Sequence, residues 1–187
     1  MFGCLVGSEM CIRDRCYEIR ANWALYVDNY LEGFHIPFVH NDLNRTLDYD
    51  DYRTEIFDGG VLQIGIARDG EPSFEIPEES PDFGLEVAAY YYWIYPGLML
   101  NFYPWGLSVN LVLPLSVDRT RIEYYGFVWD KKFLGKGAGG DLDKVEEEDQ
   151  FVVESTHRGV SSVSYERGRY SPSKEIGVHH FHQMISS

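Results

Sequence analysis

The chain has 187 residues, enough for one domain with a core of its own. Apolar residues make up 44% and aromatics 16%, which excludes a disordered chain. A formal charge of -14 makes nucleic acid and anionic membrane surfaces poor partners, and no apolar run approaches the roughly 20 residues that span a bilayer.

The first stretch, MFGCLVGSEMCIRDR (1–15), carries neither a helical nor a strand period and is too poorly flanked for a signal peptide. It resembles translated adapter sequence, so the domain is expected to occupy residues 16–187, with the natural protein longer on this side. The three cysteines, Cys4, Cys11 and Cys16, cluster here and form no disulfide framework, which points to a reducing, cytoplasmic setting. Residues 22–36 predict a helix, because Trp23, Tyr26, Val27, Tyr30, Leu31 and Phe34 recur at three- and four-residue steps. Pro37 is expected to interrupt it, and Asn41-Asp42 to turn the chain.

YRTEIFDGGVLQIGIA (52–67) reads as a hairpin about Asp58-Gly59-Gly60, and residues 68–84 as a polar loop rich in Pro and Gly. Strands are expected at 87–95, 97–103, 107–114 and 120–129. A glycine-rich turn then leads to a helix capped by Asp141, and HHFHQMI predicts a last short helix. The simplest architecture is α+β, one antiparallel sheet flanked by a few helices.

Three clusters of potential ligands stand out. They are His35 and His40 with Glu32, the acids Glu146, Glu147, Glu148 and Asp149, and the group His179, His180 and His182. Two imidazoles and one carboxylate on one face of a metal is the set that non-heme Fe(II) uses toward oxygen. Five residues on a regular helix correspond to about 140° of rotation, so His35 and His40 would diverge. They can share an ion only if the helix breaks between them, and Pro37 lies there to break it. Each cluster alone also fits an ordinary role: structural imidazoles, a solvated helix face, a polar end-piece. Composition and spacing leave both readings open.

The segment NWALYVDNYLEGFHIPFVH (22–40) resembles the iron-binding segment of the catalytic subunits of Rieske non-heme iron oxygenases. EEDQFVVESTHRGV (147–160) is similar to the third-ligand segment of that family, and GRYSPSKEIGVHHFH (168–182) to the ending of many members. The resemblance implies a helix-grip fold of the Bet v1/START-like kind, with a twisted antiparallel sheet flanked by helices. It implies mononuclear Fe(2+) held by His35, His40 and Asp149, with Glu148 the neighbour most easily confused with the carboxylate ligand. Glu32 matches the acid that links electron entry to the ligating histidine across a subunit interface, and Asn29 a residue often near the metal. His157 stands where the family usually has Gln.

The pairs that hold a [2Fe–2S] Rieske cluster do not occur in this sequence, nor does a nucleotide fingerprint. The resemblance therefore implies a cluster outside this chain and NAD(P)H acting through a reductase or ferredoxin component. It also implies a homotrimer and an O2-dependent hydroxylation or cis-dihydroxylation of a small organic molecule. The match is nearest to the choline monooxygenase-like and phenylpropionate dioxygenase-like branch, so a quaternary amine competes with an aromatic as substrate. Either would use rings, as a cationic cage or as a stacking surface, and Tyr90, Tyr92, Trp93, Tyr103 and Trp105 are the candidates. Strand alternation puts Tyr91, Trp93 and Tyr95 on one face and Tyr90, Tyr92 and Ile94 on the other, and at least half of these must pack a core. The rival reading from another class is a metal-free helix-grip domain that binds an apolar ligand.

Overall fold

The computed structural model describes residues 12–186. Seven antiparallel strands form one sheet: β1 (Ile12–Ile19), β2 (Leu47–Phe57), β3 (Gly60–Ala67), β4 (Val87–Ile94), β5 (Leu98–Tyr103), β6 (Gly106–Ser116) and β7 (Arg119–Val128). Their order is β1-β7-β6-β5-β4-β3-β2. From β2 to β7 each strand pairs with its sequence neighbour, so the meander needs only hairpins and loops. The exception is β1, which closes the far edge on β7 from Ile12↔Phe127 to Ile19↔Thr120. The hairpin expected at Asp58-Gly59-Gly60 forms, with Phe57 paired to Gly60 and Gly59 at φ 79°, a conformation that side-chain-bearing residues avoid.

Five helices complete the α+β, helix-grip-like domain: α1 (Trp23–Leu31), α2 (Ile36–Val39), α3 (Asn41–Thr46), α4 (Leu142–Val160) and α5 (Ile176–Ser186). The main core lies where α1, α4 and α5 meet the sheet. Val27, Leu31, Val153 and Phe181 from the helices pack with Val61, Trp93, Met99 and Ile122 from the strands. Phe181 meets both Trp23 and Trp93 edge-on, with centroids 5.5 and 5.3 Å apart.

Four expectations need correction. The segment 1–15 is expected to carry no strand period, yet β1 begins inside it, at Ile12. Of the segment expected to be foreign, residues 1–11 lie outside the described residues. The first helix stops at Leu31 rather than running to residue 36, although the apolar period continues to Phe34. The Glu32 carboxylate accepts the backbone N–H groups of Phe34 and His35 (3.2 Å to the latter), so these amides are satisfied outside a helix. Pro37 is not the breaker, since it sits in the first turn of α2, where its missing N–H costs nothing. Finally, Asn41 and Asp42 open α3 instead of forming a turn.

Candidate metal centre

Two differently built segments supply the centre. The C-terminal end of α1 presents Asn29 and Glu32, the break after it presents His35, and the junction of α2 and α3 presents His40. Opposite them runs α4, a regular helix of 19 residues whose N-cap, Asp141, accepts from the Lys144 backbone N–H at 3.2 Å.

The histidine rings stand edge to face, with centroids 4.9 Å apart. Both Nε2 atoms point at the same Asp149 oxygen, Oδ1, at 3.4 Å from His35 and 3.0 Å from His40. One donor atom from each of the three residues lies within 4.8 Å of the others, and among the described residues no other group of three metal-capable side chains converges in this way. The Nδ1 atoms are engaged on the outer side, His35 with Glu32 Oε1 at 2.6 Å and His40 with Glu148 Oε2 at 2.8 Å. Asn29 Nδ2 donates to Asp149 Oδ1 at 2.7 Å. His40 is fully buried, while His35 and Asp149 are half-buried.

The electrostatics follow from this clustering. Burial pushes the His35 imidazole down, but hydrogen bonds and charge from Asp149 and Glu32 more than offset it and lift it to about 9. His40 is likewise raised, against burial, chiefly by Asp149. Burial pushes the Asp149 carboxyl up, and the two imidazoles pull it down to about 2. Without a metal, then, protons on the rings balance the acids. A divalent cation can replace them, because a carboxylate on each Nδ1–H leaves an Nε2 lone pair facing inward and makes it more basic. The donor set of two imidazoles and one carboxylate fits ferrous ion.

A chamber of about 80 Å³ opens at the centre, with Tyr30, Tyr52, Tyr91 and Tyr103 in its wall. Burial holds the Tyr30, Tyr52 and Tyr103 hydroxyls far above their usual range, so they stay protonated. A polar chain crosses the floor: Tyr30 OH donates to Asn101 Oδ1 (2.7 Å), Asn101 Nδ2 to Asn110 Oδ1 (3.3 Å) and Asn110 Nδ2 to Glu146 Oε1 (3.5 Å).

Of the five rings expected in a substrate pocket, Tyr103 lines this chamber and Trp105, stacked on it at 5.3 Å, lines a neighbouring one. The other three do not. Trp93 is consumed by the core with Phe181, and Tyr90 and Tyr92 project from the opposite face of β4, where Tyr90 bonds Asp82 and packs on Phe74. The ring missed was Tyr91, the member of YYYW that shares the inner face with Trp93 but lies over the chamber. Alternation could separate the faces, but not say which was inside. The C-terminal histidines stay apart from the centre: His182 bridges Asp28 and Tyr170 at 2.8 Å each.

The sequence profile described as ring hydroxylating alpha subunit (catalytic domain) matches residues 11–187. The chain belongs to this family. Choline monooxygenase of Arabidopsis thaliana, a chloroplastic protein, is 35% identical over 187 residues, covering 95% of this chain and 41% of the relative. The carnitine monooxygenase oxygenase subunit of Escherichia coli K12 is 29% identical over 178 residues, covering 89% of this chain and 46% of the relative. A solved quaternary ammonium Rieske monooxygenase, studied for carnitine oxidation and inter-subunit electron transfer, superposes with a TM-score of 0.70 at 24% identity, over 95% of this chain and 50% of that one. The chain thus has the fold of Rieske oxygenase catalytic domains and spans less than half the length of the curated relatives it matches. No helix among the described residues is long and apolar enough to cross a membrane.

Proposed function

We propose that this domain is the oxygen-activating part of an Fe(II)-dependent oxygenase of the Rieske class, with His35, His40 and Asp149 as the iron ligands. One observation carries the reading: two Nε2 atoms and a carboxylate oxygen aim at a common point while both Nδ1 atoms are engaged by carboxylates. Bound there, ferrous iron would supply the reducing chemistry that lets O2 insert one or both of its atoms into an organic substrate. The protein's own part is positional. Glu32 and Glu148 hold the ring tautomers, Asn29 orients the Asp149 carboxylate, and four tyrosines shape the chamber wall.

Electron supply from a [2Fe–2S] cluster, fed through a reductase or ferredoxin that draws on NAD(P)H, belongs to this reading. So do a homotrimer, in which Glu32 lies between a neighbour's cluster and His35, and a cytoplasmic setting. The named relatives favour monooxygenation of a quaternary amine over attack on an aromatic ring. The rival, a metal-free ligand-binding domain of the same shape, has no reason to bring two imidazoles and an acid together.

Anaerobic titration with Fe(II) tests the proposal. The wild type is expected to take up one equivalent, and His35→Ala to bind it at least about 100-fold more weakly, a larger loss than the 10–100-fold typical of outer partners. Equal uptake by both proteins would defeat the assignment.

A further inference from the structure

The chamber at the metal centre, about 80 Å³, is small beside the several hundred Å³ of most small-molecule sites. A second chamber of about 550 Å³ adjoins it, bounded by β1, β6 and β7, the glycine-rich loop 134–141 and the start of α4. Glu146 and Leu142 stand in the walls of both. The loop is pressed against this region because Gly139 has no side chain: a Cβ there would collide with Trp105 Nε1 and the Tyr103 ring.

Glu146 is the charged group common to both walls, where the two chambers meet. Its Oε2 accepts from Tyr26 OH at 2.8 Å and Tyr124 OH at 2.5 Å, whereas Oε1 has only Asn110 Nδ2 at 3.5 Å and keeps acceptor capacity. Rings line both sides of this junction: Tyr26 and Tyr103 on the metal side, Tyr124 and Trp105 on the other. Neither lysine nor arginine lines the inner chamber, and Arg15, which lines the outer one, is paired with Asp143. A carboxylate held by two tyrosine hydroxyls between aromatic-lined chambers, with no free lysine or arginine beside it, repels an acidic substrate, gains nothing from a neutral one and attracts a positive one.

We infer that Glu146 selects the substrate by its charge, receiving a quaternary ammonium group at the junction while the rest of the molecule extends into the outer chamber. The inference deepens the oxygenase reading and rests on it for the reaction, but not for binding. Surroundings that already strain an ionised carboxyl support it: burial and the Asp149 charge lift Glu146 to about 7 against the pull of its tyrosine partners. A bound cation relieves that strain.

The probes are choline and its neutral carbon isostere, 3,3-dimethylbutan-1-ol, titrated calorimetrically into the chain loaded anaerobically with Fe(II). Wild type is expected to prefer choline by at least about tenfold, the step that one modest charge contact makes in affinity. Glu146→Gln is expected to bring that preference below about threefold, while affinity for the alcohol changes by less than about twofold. Leu142→Trp, which narrows the junction without touching charge, should weaken both probes alike. An unchanged preference in Glu146→Gln, or none in wild type, would overturn the inference. If the glutamine variant does not fold, Glu146→Asp decides in its place: withdrawing the charge by one methylene should lower the choline preference and leave affinity for the alcohol unchanged, and an undiminished preference overturns the inference. Iron uptake, read in the same samples, separates the outcomes, since a chain that binds iron but ignores charge keeps the oxygenase reading and loses only this one.

Discussion

The histidine segment and the acidic helix meet at one point but are built in opposite ways. Residues 23–46 are cut into three short helices, and the cuts let imidazoles five positions apart face each other. α4 is unbroken over 19 residues, and its regularity lets consecutive acids bracket one ring, with Glu148 on His40 Nδ1 and Asp149 on Nε2. One turn earlier on the same helix, Glu146 faces the chambers. An irregular segment can gather ligands that are close in sequence. A regular one distributes neighbours among different tasks, because each step turns the side chain by about 100°.

Four substitutions probe that contrast. The largest effect is expected from Glu148→Ala, which frees His40 Nδ1 and should weaken Fe(II) binding about 10- to 100-fold with little change in fold, as read by anaerobic titration. An unchanged affinity would mean that α4 contributes a single acid.

Next comes Asp28→Asn on α1. Burial lifts the Asp28 carboxyl to about 6, although His182 at 2.8 Å pulls it down. The unfolded value is about 3.9, so the folded state holds the proton more tightly. The stability this gives is fully present below about pH 4 and is lost as pH rises through 6. Asparagine does not titrate, so the variant should gain on wild type by about 2 kcal/mol between pH 4 and 7, measured by denaturant unfolding at both ends.

Asp141→Ala removes the cap of α4 and should cost about 1 kcal/mol in the same assay, with iron uptake kept because the acids sit one turn or more beyond the cap. The smallest effect is expected from Pro37→Ala, less than about 1 kcal/mol and no loss of iron, since Glu32 and not the proline redirects the chain. A large loss of iron binding in Pro37→Ala would restore the proline as the hinge.

Much of the fold was legible because its signals are local. Strand alternation, Gly59 at the hairpin and Asp141 before an apolar-periodic run each act within a few residues, and β3 to β7 and α4 fell where those signals put them. The end of α1 was misjudged because periodicity registers apolar side chains and is blind to a carboxylate that takes two backbone amides. β1 was missed because its pairing with β7 joins residues more than a hundred positions apart.

Within the site, the histidine spacing and the acidic run were visible as residue types, and the resemblance put numbers on them. The aromatic wall was not readable. Tyr90, Tyr91 and Tyr92 are chemically identical, and only the side of β4 that α1 and α4 cover separates a chamber residue from a solvent-side one.

By itself the sequence determined β3 to β7 and α4, the family and the inventory of imidazoles and carboxylates, since these depend on the order of side chains along short windows. Tertiary structure alone decided that Asp149 faces a histidine 109 positions earlier, that Glu148 bonds the outer edge of the same ring, and that Glu146 stands between two chambers. The reason is physical: contacts of that range are set by how α4 packs across the sheet, and packing is a property of the whole core rather than of any stretch of chain.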